Sequence, residues 1–123
     1  MREPVTRVVL RSPEREAADF LDVVGRLGLH DVSYAVGYTA WLDLAPEGVT
    51  KASALEAVRR RLDVPAERTL AVGDGRNDLE MLQWAGVGVA MGHAPAEVQD
   101  AADLVTGTFD EDGLAQALER WFP

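Results

Sequence analysis

The hydrophobic pattern divides the chain into short apolar runs and longer stretches where apolar residues recur at helical spacing. Residues 6–10 read as a strand. Residues 14–27 read as an amphipathic helix that starts at Ser12-Pro13, turns Ala17, Phe20, Leu21, Val24 and Leu27 to one face, and stops at Gly28. Residues 32–36 and 39–44, parted by a turn at Gly37 and carrying Tyr34, Tyr38 and Trp41, read as the two strands of a hairpin. Ala45-Pro46-Glu47-Gly48 is a turn, and it places a short linker between two parts of the chain, 1–45 and 46–123.

Beyond the linker, Thr50 is positioned to cap a helix over 51–62, with Ala54, Leu55, Val58 and Leu62 expected to face inward. Arg59, Arg60 and Arg61 close it, read as a solvated end that meets the negative pole of the helix dipole. Residues 69–72, an apolar run, have the pattern of a strand covered on both faces in a parallel sheet. A helix over 79–85, a strand over 87–90, a helix over 96–101, a short strand at 104–105 and a closing helix over 111–121 follow, the last with Leu114, Leu118 and Trp121 as its buried stripe. Strands alternating with helices at this spacing predict βαβ units and an α/β fold.

Composition narrows the picture. At 123 residues, 47% hydrophobic and 27% charged, the chain has material for one modest core, or one and a fragment. There is no cysteine, which excludes disulfides and thiolate metal sites and suits a reducing, cytoplasmic setting. The first residues are charged from Arg2 onward and form neither a signal peptide nor a membrane span. A net charge of -9 repels polyanions, so neither nucleic acid nor membrane is expected as a partner.

The chemistry gathers in 73–78, Gly-Asp-Gly-Arg-Asn-Asp, between the apolar strand and the next helix. Glycines on both sides of Asp74 allow positive φ and a close approach of the backbone to a ligand, and Asn77 or Asp78 is placed to cap the helix. Asp74 and Asp78 then share one cavity at the carboxyl edge of the sheet, where open α/β sheets bind ligands. Two carboxylates with few cations nearby repel each other unless a hard cation such as Mg²⁺ sits between them. A solvated turn is the plain alternative for such residues. A calcium-binding loop starting at Asp74 fails, because Arg76, Leu79 and Ala85 occupy its ligand and glycine positions. A dinucleotide fingerprint lacks its third glycine and would set acidic side chains against a pyrophosphate. Lys51, at a helix start where a cation works against the dipole, reads either as a surface lysine or as a phosphate contact. His30 and His93 have no partner at metal-ligand spacing and read as turn or surface residues, and Trp84 as core packing.

Gly-Asp-Gly-Arg-Asn-Asp-Leu-Glu-Met, with the stretch that follows it to residue 118 and the upstream run over 42–55, resembles the C-terminal portion of a haloacid dehalogenase-like (HAD) phosphatase of the Cof type. The resemblance implies a partial HAD-like Rossmannoid parallel sheet, the second half of the core, preceded by a β-α-β-β remnant of an α/β cap. It implies Mg²⁺ at Asp74 and Asp78, phosphate or substrate contact at Asn77, and the family's lysine at Lys51, with Lys51 and Asp74 serving catalysis on a small phosphorylated metabolite such as a sugar phosphate. At His93 the family more often has asparagine. No apolar strand here ends in the Asp-x-Asp that supplies the family's nucleophile, so the chain alone is expected to be inactive. The alternatives are a non-catalytic binding module and one half of a split phosphatase. A strand over 69–72 without its neighbour predicts a homo-oligomer or a complementing chain.

Overall fold

The computed structural model describes residues 8–11, 26, 32–36 and 41–122. The helix expected over 14–27 lies outside these apart from Arg26, as do the turn at Gly37 and His30. Two compact units divide at Val49 and Thr50, a few residues past the expected linker.

The first unit holds strands β1 (Val8–Arg11), β2 (Val32–Val36) and β3 (Trp41–Pro46), an antiparallel sheet in the order β1-β3-β2. Leu42 of β3 is fully buried and pairs with Leu10 on one side and Val36 on the other. β3 ends two residues later than its pattern suggested, because Ala45 and Pro46 continue the ladder opposite Ser33 and Val32.

The second unit carries the parallel sheet. Thr50 caps helix α1 (Lys51–Arg61) by accepting from the Ser53 amide, and the Ser53 hydroxyl accepts from the Thr50 amide in return. Strand β4 (Leu70–Gly73), helix α2 (Leu79–Trp84), strand β5 (Val87–Ala90), helix α3 (Ala96–Asp100), strand β6 (Leu104–Val105) and helix α4 (Gly113–Glu119) follow. β4 and β6 flank β5, both parallel to it, with Gly73 opposite Ala90 and Ala90 opposite Val105. Ala71, Leu82, Ala90, Ala94 and Val98 form the buried cluster between sheet and helices.

Two helices turn a different face inward from the one their apolar residues suggested. On α1, Leu55, Val58 and Leu62 are exposed, and the side that packs toward α2 is Ala52, Glu56 and Arg59. Glu56 explains this: its carboxylate receives Trp84 Nε1 from α2 at 3.0 Å and bonds from Arg59 and Arg60 one turn along its own helix. Arg59 also donates to the Val64 carbonyl at 2.6 Å, so it clamps the helix end instead of dangling in solvent.

On α4 Leu114 and Leu118, and past its end Trp121, are at least a third exposed, while Gly113 and Ala117 are buried. The loop before it lies against the helix so closely that a Cβ on Gly113 would come within 1.9 Å of the Gly107 carbonyl oxygen. Only glycine fits at that position. The helix expected from residue 111 begins later for a local reason: Phe109–Glu111 is a 3-10 turn, and Asp112 then takes a left-handed conformation at φ 56° before α4 starts.

Candidate functional site

The carboxyl ends of β4 and β5 bring two loops side by side. The parallel register sets Gly73 beside Ala90, and the Met91 amide donates to the Gly73 carbonyl at 2.9 Å, so the loops that leave the two strands start from fixed points. One loop carries Asp74, Gly75, Arg76, Asn77 and Asp78, and the other carries Gly92 and His93.

Asp78 organises the first loop. Its side chain is buried to 5% exposure, and Oδ2 accepts the amides of Asp74 and Gly75, each at 3.1 Å. Oδ1 pairs with Lys51 Nζ at the start of α1. A carboxylate buried without partners would be costly, and these three donors, one of them cationic, satisfy it. The lysine placed against its own helix dipole is explained structurally by the same pair. Asp78 does not cap α2; it reaches backward and holds the amides that precede it.

The glycines serve close approach, without the positive φ that the sequence suggested. Gly75 has φ −110°, and Gly48 is the glycine with a positive value among the described residues. A Cβ on Gly73 would lie 2.6 Å from the Asp78 Cβ, and one on Gly75 would lie 2.5 Å from Asn77 Oδ1. Both glycines leave room for side chains of their own loop. Asn77 itself is exposed on the 3-10 turn Arg76–Asp78, where Arg76 also forms an ion pair with Glu97 of α3.

Asp74 points the other way. Its side chain is 47% exposed, and its Oδ2 lies 3.2 Å from His93 Nε2. The site therefore joins Lys51 to Asp78 and Asp74 to His93 through direct contacts, while Asn77 stands beside them on the shared loop. His93 is the member that the sequence reading passed over. It is 19 positions from Asp74 in the chain, and only the pairing of β4 with β5 makes them neighbours.

As metal donors, the described residues supply no group of three His, Cys, Asp or Glu side chains around a common point. Of the two loop carboxylates Asp74 is the more exposed, and both Asp78 oxygens are already engaged. That set fits a hydrated hard cation, which takes one or two carboxylates and fills its remaining positions with water and phosphate oxygens.

The sequence profile described as haloacid dehalogenase-like hydrolase matches residues 2–118. The chain is similar to the 5-amino-6-(5-phospho-D-ribitylamino)uracil phosphatase YitU of Bacillus subtilis, 33% identical over 122 residues that cover 98% of this chain and 45% of that protein. Among solved structures, a haloacid dehalogenase-like hydrolase from Bacteroides thetaiotaomicron matches with a TM-score of 0.79 and 35% identity, over 99% of this chain and 46% of that one. The HAD subclass IIB sugar phosphatase BT4131 matches with a TM-score of 0.81 and 31% identity, over 97% of this chain and 44% of that one. The chain thus spans somewhat less than half the length of these relatives.

Proposed function

The chain belongs to the haloacid dehalogenase-like hydrolases, and from that membership we propose that it carries the metal- and phosphate-binding half of a phosphohydrolase centre. The observation that carries this reading is the division of labour between two carboxylates. Asp78 is buried and tied to Lys51 and two amides, which leaves Asp74 at the loop's outer side with its carboxylate half exposed.

In this reading Asp74 would hold Mg²⁺, and Asp78 would fix the loop and reach the ion directly or through water. Mg²⁺ supplies neutralisation of the charge on the phosphoryl oxygens when it is bound, which is the main demand of phosphoryl transfer. Lys51 spends one of its three N–H donors on Asp78 and keeps the others for a phosphoryl oxygen. Its side chain is 49% exposed, which leaves it within reach of such a contact. Asn77, exposed on the same loop, orients the phosphate or the group that bears it. The substrate is a small phosphorylated metabolite such as a sugar phosphate, which is supported by the sugar and ribityl phosphates in the names of the relatives.

No apolar strand of the 123 residues ends in Asp-x-Asp, so an aspartyl phosphate needs a carboxylate from outside them. β4 pairs with β5 alone among the described residues, which leaves its other edge for a strand of a second copy or of a complementing chain. With inorganic phosphate as probe, calorimetry on the purified chain is expected to give Mg²⁺-dependent binding that Lys51→Ala weakens. Binding that is indifferent to Mg²⁺ or to Lys51 would contradict the reading. The same chain is expected to show no turnover of a generic phosphomonoester, and turnover that Asp74→Asn abolishes would overturn the missing-nucleophile part.

A further inference from the structure

We infer that His93 is a positioning residue that fixes the carboxylate of Asp74 with its Nε2–H. The inference rests on the reading of Asp74 as the metal-bearing carboxylate, and the steps below are local geometry.

The imidazole is held from behind. The Phe109 amide donates to His93 Nδ1 at 3.2 Å. A ring nitrogen that accepts an N–H carries no proton of its own, so in the neutral ring the proton sits on Nε2, the nitrogen 3.2 Å from Asp74 Oδ2. His93 is thereby a donor to Asp74, and its Nε2 lone pair is not available as a metal ligand. The Phe109 amide is itself held in place. Thr108 and Glu111 form a capping box across the 3-10 turn, with the Thr108 amide and hydroxyl donating to Glu111 Oε2 at 2.8 and 2.9 Å.

The backbone around His93 is braced as well. Gln99 of α3 donates through Nε2 to the carbonyls of Gly92 at 3.2 Å and Ala94 at 2.8 Å, and the Gly92 amide donates to the Gly107 carbonyl at 3.1 Å. One amide thus meets the imidazole, two further segments fix the backbone on either side of it, and the remaining ring nitrogen meets Asp74. With Oδ2 held by His93, the orientation of the carboxylate is set before an ion arrives. A second-sphere donor of this kind orients a ligating carboxylate and lowers the cost of fixing it when metal binds.

The test uses Mn²⁺, followed by electron paramagnetic resonance, as a probe of the hard-cation site. Gln at position 93 keeps an N–H donor at about the reach of Nε2, and Leu fills the space without one. His93→Gln is expected to bind Mn²⁺ within about twofold of the parent chain, and His93→Leu about tenfold more weakly. A Leu variant that binds like the parent overturns the proposal, and so do Gln and Leu variants that weaken binding equally. Nitrogen-15 spectra of the metal-free parent in mildly alkaline solution supply a second readout. A single Nε2–H tautomer is expected, and an Nδ1–H tautomer or the mixture found in free imidazole overturns it. If the parent binds no Mn²⁺, or Asp74→Asn binds it equally well, the reading of Asp74 fails, and the tautomer then decides the His93 contact separately.

Discussion

Gly73 has no side chain because Asp78 occupies the place where one would go. Gly73→Ala sets a Cβ 2.6 Å from the Asp78 Cβ, too close for either atom to stay where it is. The expected cost is about 1–3 kcal/mol in chemical unfolding, as for other overpacked sites. The two aspartates should separate cleanly in the same measurement. Asp78→Asn leaves Lys51 without its charged partner and weakens two amide contacts, and should cost about 2 kcal/mol. Asp74→Asn, at a half-exposed side chain, should stay within about 0.5 kcal/mol of the parent. Equal losses would mean that Asp74 is structural. The sequence made both carboxylates visible as a pair, but it could not tell which one was buried, because both flank a glycine-rich turn and differ only in the direction the loop takes.

Among the elements, β4, β5, β6 and α1 were readable to within a residue, since apolar runs and the Thr50 cap are local signals. The inward faces of α1 and α4 were not, because periodicity assumes that the largest apolar side chains go inward. Instead α1 meets α2 through the carboxylate of Glu56, and α4 lies on its loop through Gly113. The Glu56 contact has a consequence in acid. Bonds from Arg59 first, then Trp84 and Arg60, hold the Glu56 carboxyl well below the usual carboxylate range. A carboxyl whose folded value is depressed contributes stability that is present above its unfolded value and is lost as pH falls through the folded one. In urea unfolding against pH, the parent's advantage over Glu56→Gln should therefore be full near neutrality and shrink in acid. An advantage that is constant with pH would exclude an ionic role. Glu111 is also held below its ordinary value, by the Thr108 amide and then its hydroxyl, so the brace behind His93 should loosen as the pH falls into acid.

At the scale of the molecule, chain and relatives differ in length: the chain spans somewhat less than half of the proteins it matches. The edge of β4 that pairs with no strand among the described residues, and the exposed row of Leu55, Val58 and Leu62, are the surfaces that association would cover. Light scattering is expected to give a mass above 13.3 kDa, and a monomer at micromolar concentration would count against association. The central claim is that the loop after β4 presents Asp74 to a hard cation while Asp78 stays behind as its anchor. Backbone amide spectra recorded during a Mg²⁺ titration of the purified chain test it most directly. Shifts confined to residues 74–77 and to His93 and Phe109, saturating at millimolar metal and absent in Asp74→Asn, are the result expected. No shifts, or shifts that survive Asp74→Asn, would contradict it.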